Sequence, residues 1–179
     1  MRRCLSIAFA AVLACVLAGW TATAADPLPA TGTPDPAALE ILALNIYHEA
    51  KGEGRKGMLA VGWVVLNRAA DPAFPRRVEE VVTQGCQFGW LCDANPDEPA
   101  NVRAWRRALG VAGELLTADP PADPTRGAMW FHHAEGVEPG WGDRIAPSTR
   151  IGNHLFYAKA GRLPRPTAKP RAALLLAQR

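Results

Sequence analysis

The sequence predicts an α+β domain that is mainly helical, with a small β-region near its C-terminal end. Four segments between residues 36 and 117 are interpreted as helices, with apolar residues at helical spacing in the longer ones. A proline-rich stretch over residues 119–124 interrupts this pattern, and two short strand-like segments follow it. With 179 residues, 49% hydrophobic and 21% charged, the chain is long enough for one packed domain and too short for two ordinary ones.

The first 24 residues predict a secretory signal peptide. Residues 1–3 are basic at their end, residues 4–19 are almost wholly apolar, and residues 22–24 are small, as a cleavage site requires. The apolar run is shorter than the ~20 residues that a spanning helix needs. We therefore expect export to the periplasm or cell wall, with no stable membrane anchor after signal removal. A retained anchor, or a lipoprotein signal ending at Cys15, is the alternative.

Composition marks the edges of the folded domain. Residues 25–35 predict a flexible or extended linker, and residues 161–179 predict a flexible tail that is basic and contains no acid. Residues 36–160 hold 13 basic and 15 acidic side chains, so the predicted domain has a formal charge of −2 although the whole chain has +3. This balance does not favour nucleic acid as a partner. For the tail, binding to an anionic wall is the alternative to disorder.

The predicted elements begin and end at residues with known preferences. Asp35 suits an N-cap and Pro36 a first helical position, so a helix is predicted over residues 36–50, and Gly52 and Gly54 end it. The other predicted helices cover residues 56–68, 78–82 and 99–117, and the predicted strands cover residues 128–134 and 150–158.

The first helix directs a carboxylate toward the interior. Leu39, Leu42 and Ile46 lie on one face, and Glu49 follows on that face three residues later. Burial and the negative end of the helix dipole both favour the protonated carboxyl, which a general acid needs near neutral pH. A structural carboxylate is the alternative. Glu53 lies beyond the first glycine, where we expect it to be solvated or hydrogen-bonded to backbone.

Two cysteines remain after signal removal. Cys4 and Cys15 leave with the signal peptide, whereas Cys86 and Cys92 lie six positions apart in an oxidising compartment. We predict a disulfide between them, which stabilises by about 2 kcal/mol on chain-entropy grounds. A metal-binding pair is the alternative, although no further cysteines accompany it.

Six short motifs in a fixed order point to a known family. They are EAKGE (residues 49–53), NR (67–68), CQFGW (86–90), WFH (130–132), PGW (139–141) and IGNHLFY (151–157). Together they resemble the SleB/CwlJ-type cell-wall hydrolases, the family of the spore cortex-lytic enzymes, over residues 39–157. The resemblance implies a lysozyme-like or lytic-transglycosylase-like domain. Its implied partner is peptidoglycan, with no cofactor; protein partners are unknown.

By this resemblance Glu49 matches the family's catalytic glutamate. It would act as a single general acid and base that cleaves the glycan strand between N-acetylmuramic acid and N-acetylglucosamine. Most glycosidases use two carboxylates, and no second inward acid is evident from the pattern. Asp93, Asp97 and Asp143 lie in predicted loops and suit turns. A hydrolytic muramidase would start with the same acid, so both outcomes stay open.

Further residues in these motifs are predicted to bind substrate. They are Glu53, Gln87, Phe88, Trp90, His132, Trp141, His154 and Tyr157. The rings of Trp90, Trp141 and Tyr157 suit stacking on sugar faces, and packing is the alternative for each. Two positions depart from the family pattern, because Gly89 stands where serine is common and His48 where glycine is common. Neither departure removes the acid.

Two functions of other classes remain as alternatives. His132, His133, His154 and Glu49 have the residue types of a zinc site, which would suit an amidase that cleaves the peptide stem. However, successive strand residues point to opposite faces, and no HExxH motif is present, so no metal ligands are assigned. The second alternative is a non-catalytic module that binds peptidoglycan.

Overall fold

A computed structural model describes residues 33–136, 140 and 145–159. The helices are α1 (Pro36–Ala50), α2 (Arg55–Ala69), α3 (Val78–Val82) and α4 (Val102–Leu115), with a short 3₁₀ turn at Gly89–Leu91. The strands are β1 (Ala128–His133), β2 (Thr149–Ile151) and β3 (His154–Ala158). Within this described part, no helix is both long and apolar enough to cross a membrane. The predicted signal peptide, the basic tail and Trp141 lie outside the described residues.

The helices confirm the mainly helical prediction. The bounds of α1 and α3 are those predicted, and α2 extends one residue further at each end. Asp35 caps α1 by accepting a hydrogen bond from the Ala37 N–H at 2.9 Å. The start of α4 was predicted at residue 99 and lies instead at Val102, because Asn101 accepts a hydrogen bond from the Ala104 N–H at 3.0 Å and so caps the helix there.

The first strand of the β-region ends at His133, one residue before the predicted end, and the second predicted strand differs more. The single strand predicted over residues 150–158 is wrong, since Gly152 and Asn153 form a turn that divides it into β2 and β3. Gly152 has a φ of 58°, which glycine adopts at no steric cost. The three strands form an antiparallel sheet in the order β1-β3-β2, with Phe131 opposite Phe156 and His133 opposite His154.

The core lies where α2 crosses α1 and α4. Ile46 and Leu115 meet at Gly62 of α2: a Cβ built there would collide with Leu115 Cδ1 and lie 3.1 Å from Ile46 Cδ1. The other side of α2 carries the sheet, whose Ile151 and Phe156 form a buried cluster with α2. The helix α2 therefore joins the helical layer to the sheet.

The predicted disulfide between Cys86 and Cys92 is present, with Cα atoms 5.7 Å apart. Both cysteines are exposed, whereas Phe88 and Trp90 between them are buried in the helical core. The disulfide therefore closes a surface loop from which two large rings insert into the interior.

We expect any side chain at position 62 to lower the free energy of unfolding, because it would collide with residues of α1 and α4. Gly110 of α4 has no atom within 4 Å of an ideal Cβ, so Gly110→Ala should stabilise by about 1 kcal/mol through helix propensity. Gly62→Ala gives the same gain but costs about 1–3 kcal/mol through overpacking. Urea unfolding of both variants measures the difference. Equal stabilities would contradict the close crossing.

The disulfide is expected to protect both thiols. Without reductant, denatured protein should show no alkylation at Cys86 or Cys92, and reduction should add two labels to the peptide that carries them. Peptide mass spectrometry makes the measurement. Labelling of either residue before reduction would show that the bond does not form.

Candidate active site

Glu49 lies in the last turn of α1 with its side chain partly buried. Burial raises the pKa of its carboxyl from 4.5 to about 7, while the positive charge of Arg68 acts in the opposite direction. Desolvation was one of the two effects expected from the sequence. A carboxyl with this pKa is present in both protonation states near neutral pH, as general acid and base chemistry requires.

Arg68 supplies a buried positive charge near the end of α2. Its Nε donates a hydrogen bond to the Met129 carbonyl at 2.7 Å, and its guanidinium lies 5.4 Å from the ring centre of Phe74 and 5.1 Å from that of Phe88. Burial lowers the pKa of Arg68 to about 10, and the charge of Glu49 opposes the shift. Arg68 therefore stays charged at neutral pH.

The burial of Arg68 near Glu49 is not among the predictions made from the sequence, although Arg68 belongs to one of the six motifs. A signal was available: Val61, Val65 and Arg68 follow at spacings of four and three, so Arg68 continues a buried face of α2 just as Glu49 continues one of α1. The two charged side chains thus extend apolar stripes on adjacent helices.

An open cleft of ≈ 360 Å³ lies beside this pair. The described residues that line it are Arg68, Phe74, Gln87, Trp130 and Phe131. Glu49 does not line this cleft. Arg68 does line it, and the positive charge of Arg68 also lowers the pKa of Glu49. Of the predicted binding residues, Gln87 lies here with its side chain exposed.

Three predicted substrate contacts are packed inside instead. Phe88 is 1%, Trp90 7% and Tyr157 2% exposed, which leaves little ring surface for a sugar. Trp90 Nε1 donates to Asn45 Oδ1 at 3.0 Å, and its ring stacks on His48 at 4.7 Å. Each of these rings finds its partners within the protein, and the predicted role of all three in substrate binding stays a prediction.

The predicted histidines lie on opposite faces of the sheet. His132 Nδ1 donates to the His133 carbonyl at 3.0 Å, and His132 Nε2 lies 2.8 Å from the Tyr157 hydroxyl oxygen. On the other face, the rings of His133 and His154 are 5.6 Å apart. Across the described ranges, no three His, Cys, Asp or Glu side chains are grouped to hold a metal ion.

Glu53 is neither solvated nor on the cleft wall. Its Oε1 accepts a hydrogen bond from the Asn153 N–H at 3.1 Å and lies 3.7 Å from His154 Nδ1. The expectation that Glu53 is either solvated or hydrogen-bonded to backbone is thus met by the hydrogen bond from Asn153. Burial lowers the pKa of His154 against the opposing charge of Glu53, which favours a neutral imidazole.

Two of the acids predicted to form turns, Asp93 and Asp97, lie in the segment that follows the disulfide-closed loop. Asp93 accepts a hydrogen bond from the Asn95 N–H at 2.9 Å, which is an Asx turn. Asp97 is exposed, and its carbonyl accepts from His48 Nε2 at 2.9 Å. Asp143 lies outside the described residues.

Comparison with known proteins supplies the family. The model of the cell wall hydrolase family matches residues 52–157. The spore cortex-lytic enzyme of Halalkalibacterium halodurans is 33% identical over 122 residues, which cover 66% of this chain and 34% of that protein. The spore cortex-lytic enzyme of Bacillus subtilis is 30% identical over 118 residues, covering 66% and 36%. The match thus spans about a third of the length of these relatives.

Solved structures agree with the fold. The catalytic domain of the germination-specific lytic transglycosylase SleB from Bacillus anthracis is 25% identical, with a TM-score of 0.56, and the match covers 69% of this chain and 95% of that one. The catalytic domain of the Bacillus cereus SleB protein has the same identity and TM-score, with 69% and 91% covered. Both confirm the helical fold with its small sheet, and the chain belongs to the cell wall hydrolase family.

Proposed function

We propose that this protein is a lytic transglycosylase that cleaves the glycan strand of peptidoglycan between N-acetylmuramic acid and N-acetylglucosamine, with Glu49 as its single acid and base. The observation that carries the proposal is the partly buried Glu49 carboxyl, whose pKa of about 7 is set by burial against the charge of Arg68. The family and the likeness to the SleB catalytic domain support the reaction class. The family match begins at Gly52, three residues after Glu49, so the role of Glu49 depends on its motif and its environment.

In the first step, protonated Glu49 donates its proton to the glycosidic oxygen. The bond from that oxygen to C1 of muramic acid breaks, and positive charge develops on the sugar ring. In the second step, the Glu49 carboxylate accepts the proton of the muramic acid 6-hydroxyl. At the same time, the oxygen of that hydroxyl bonds to C1 of the same sugar. The 1,6-anhydro ring closes, Glu49 is protonated again, and no water is consumed.

Arg68 stabilises the form of Glu49 that exists between these steps. Burial disfavours the carboxylate that forms when the proton leaves, and the Arg68 charge offsets part of that cost. The balance keeps Glu49 acidic enough to donate a proton and basic enough to take one back. A pKa near the working pH serves both steps.

The cleft beside Arg68 suits a sugar chain. Trp130 and Phe131 are partly exposed there, and aromatic faces pack on pyranose rings. The exposed Gln87 amide can donate to and accept from hydroxyl and acetamido groups. We therefore assign this cleft to sugar units of the glycan beside the cleaved bond, since Glu49 itself does not line it. Action on peptidoglycan also agrees with the predicted export, which stays a prediction.

Glu49→Gln is expected to abolish cleavage while the fold persists, because the amide keeps the shape but cannot donate the proton. The rate should fall about 100- to 10,000-fold or more. Above pH 7 the variant should also be more stable than wild type, since about 2.5 pKa units of ionisation cost, on the order of 3 kcal/mol, disappear. At pH 4 the two should be nearly equally stable, because wild-type Glu49 is then protonated.

The measurements are release of soluble muropeptides and thermal unfolding. Glu40→Gln is the matched control, because Glu40 is an exposed acid on the same helix. Mass spectrometry of the wild-type products should find anhydro-muramyl ends. Reducing ends would mean a hydrolytic muramidase, free stem peptides an amidase, and no soluble fragments a binding module. A Glu49→Gln variant that cuts at the wild-type rate would refute the assigned acid.

The pH profile tests the coupling to Arg68. Wild-type kcat/KM should fall as pH rises through about 7, because the protonated Glu49 is lost. Arg68→Met should move this limb to higher pH, since the Arg68 charge lowers the pKa of Glu49. Arg68→Lys keeps the charge and should leave the limb near its wild-type position. An unshifted limb in Arg68→Met would exclude the coupling.

A further inference from the structure

Glu53 reaches from the end of α1 to a hairpin 100 residues later in the chain. Its backbone N–H donates to the Ala50 carbonyl at 2.9 Å, which places it in the turn that follows the helix of Glu49. Although this turn lies at the surface, the Glu53 side chain is only 12% exposed. It is covered because it inserts against the turn between β2 and β3.

Asn153 in the β2–β3 turn forms backbone hydrogen bonds both to Glu53 and to the residue that follows β1. Asn153 N–H donates to Glu53 Oε1 at 3.1 Å, and the Asn153 carbonyl accepts from the Ala134 N–H at 2.6 Å. Both backbone groups of Asn153 are thereby used, one toward α1 and one toward the end of β1. Glu53 thus connects the end of α1 to the strand that carries two cleft residues, Trp130 and Phe131.

Two glycines make room for this side chain. A Cβ at Gly57 would lie 2.6 Å from Glu53 Cβ, and a Cβ at Gly152 would collide with Glu53 Oε2. The His154 ring lies beside the carboxylate, with its Nδ1 3.7 Å from Oε1, and within the described part of the chain this Nδ1 has no hydrogen-bond partner. The carboxylate therefore occupies a socket shaped by the start of α2 and by the β2–β3 hairpin.

We propose that Glu53 is a positioning residue: through its bond to Asn153 it holds the β2–β3 hairpin against the end of α1, and so fixes Glu49 relative to the cleft. This replaces the substrate-binding role expected from the sequence, because the carboxylate is engaged by the protein itself. The inference rests on the proposed lytic transglycosylase activity for its kinetic readout. A displacement of about 1 Å at a reacting group can cost about 100-fold in rate.

Three substitutions separate the possible roles of Glu53. Glu53→Gln keeps an acceptor oxygen at the same reach, whereas Glu53→Asp is one methylene too short and Glu53→Ala has no acceptor. We expect kcat to fall about 10- to 100-fold in the Asp and Ala variants, with KM little changed, and to stay near wild type in Glu53→Gln. Glu114→Ala is the control, because it removes an acid from an exposed ion pair with Arg55.

Amide hydrogen exchange at Asn153 provides a readout that needs no activity. The exchange rate should rise in Glu53→Asp and Glu53→Ala and remain slow in Glu53→Gln and Glu114→Ala. Gly57→Ala should reproduce the Glu53→Ala kinetics, because a methyl group there would lie 2.6 Å from Glu53 Cβ and displace the side chain from its socket, without the strain that alanine would place on the turn at Gly152. This variant tests the arrangement with the Glu53 side chain intact.

The outcomes that would overturn the proposal are distinct. A raised KM with unchanged kcat would make Glu53 a substrate contact, and a lower unfolding temperature with unchanged kcat would make it only structural. Equal loss in Glu53→Gln and Glu53→Ala would show that its charge is required rather than its hydrogen bond. Unchanged exchange at Asn153 in Glu53→Ala would refute the positioning bond. If wild type releases no muropeptides, the proposed function fails while the exchange experiment still decides the bond.

Discussion

The electrostatic interaction between the partly buried Glu49 carboxyl and the buried Arg68 guanidinium is the constraint on which the proposed active site depends. Burial favours neutral Glu49 and the charge of Arg68 favours the ionised form, so neither state is strongly preferred. Such a balance requires that both side chains stay in place. Arg68 is held by the Met129 carbonyl and by two aromatic rings, and its helix can approach α1 closely because residue 62 is glycine.

The end of α1 is secured on both sides of Glu49. On one side, His48 stacks on Trp90 and donates to the Asp97 carbonyl, which joins the helix to the disulfide-closed loop and the segment after it. On the other side, Glu53 bonds to the hairpin. Residues close to the proposed acid, His48 and Glu53, thus fix the end of α1 to other parts of the fold. These contacts can hold an active site in place although it lies at the end of a helix.

The features of the fold that depend on neighbouring residues in the sequence could be predicted from it. Asp35, Pro36 and Gly52 are sufficient to place α1, and the apolar stripe is sufficient to turn Glu49 inward. The hydrogen bond that holds Trp90 in the core could not be predicted from local sequence, because its partner, Asn45, is 45 residues away. The β2–β3 turn was missed although Gly152-Asn153 is a hairpin pair, because the residues on both sides continue a strand-like composition. The burial of Glu53 depends in part on its contact with Gly152 in the distant β2–β3 turn, which no local periodicity of the sequence encodes.

The hydrogen bond between Glu53 and Asn153 also bears on the order of folding. The helices α1 to α4 contact one another within about 80 residues of chain, whereas this bond closes a segment of 100 residues. Contacts of long sequence separation form late because loop closure must be compensated before they add stability. A chain emerging from the ribosome or a translocation channel would therefore pack its helices before the hairpin arrives, so the cleft would take its final shape only after nearly the whole domain has emerged.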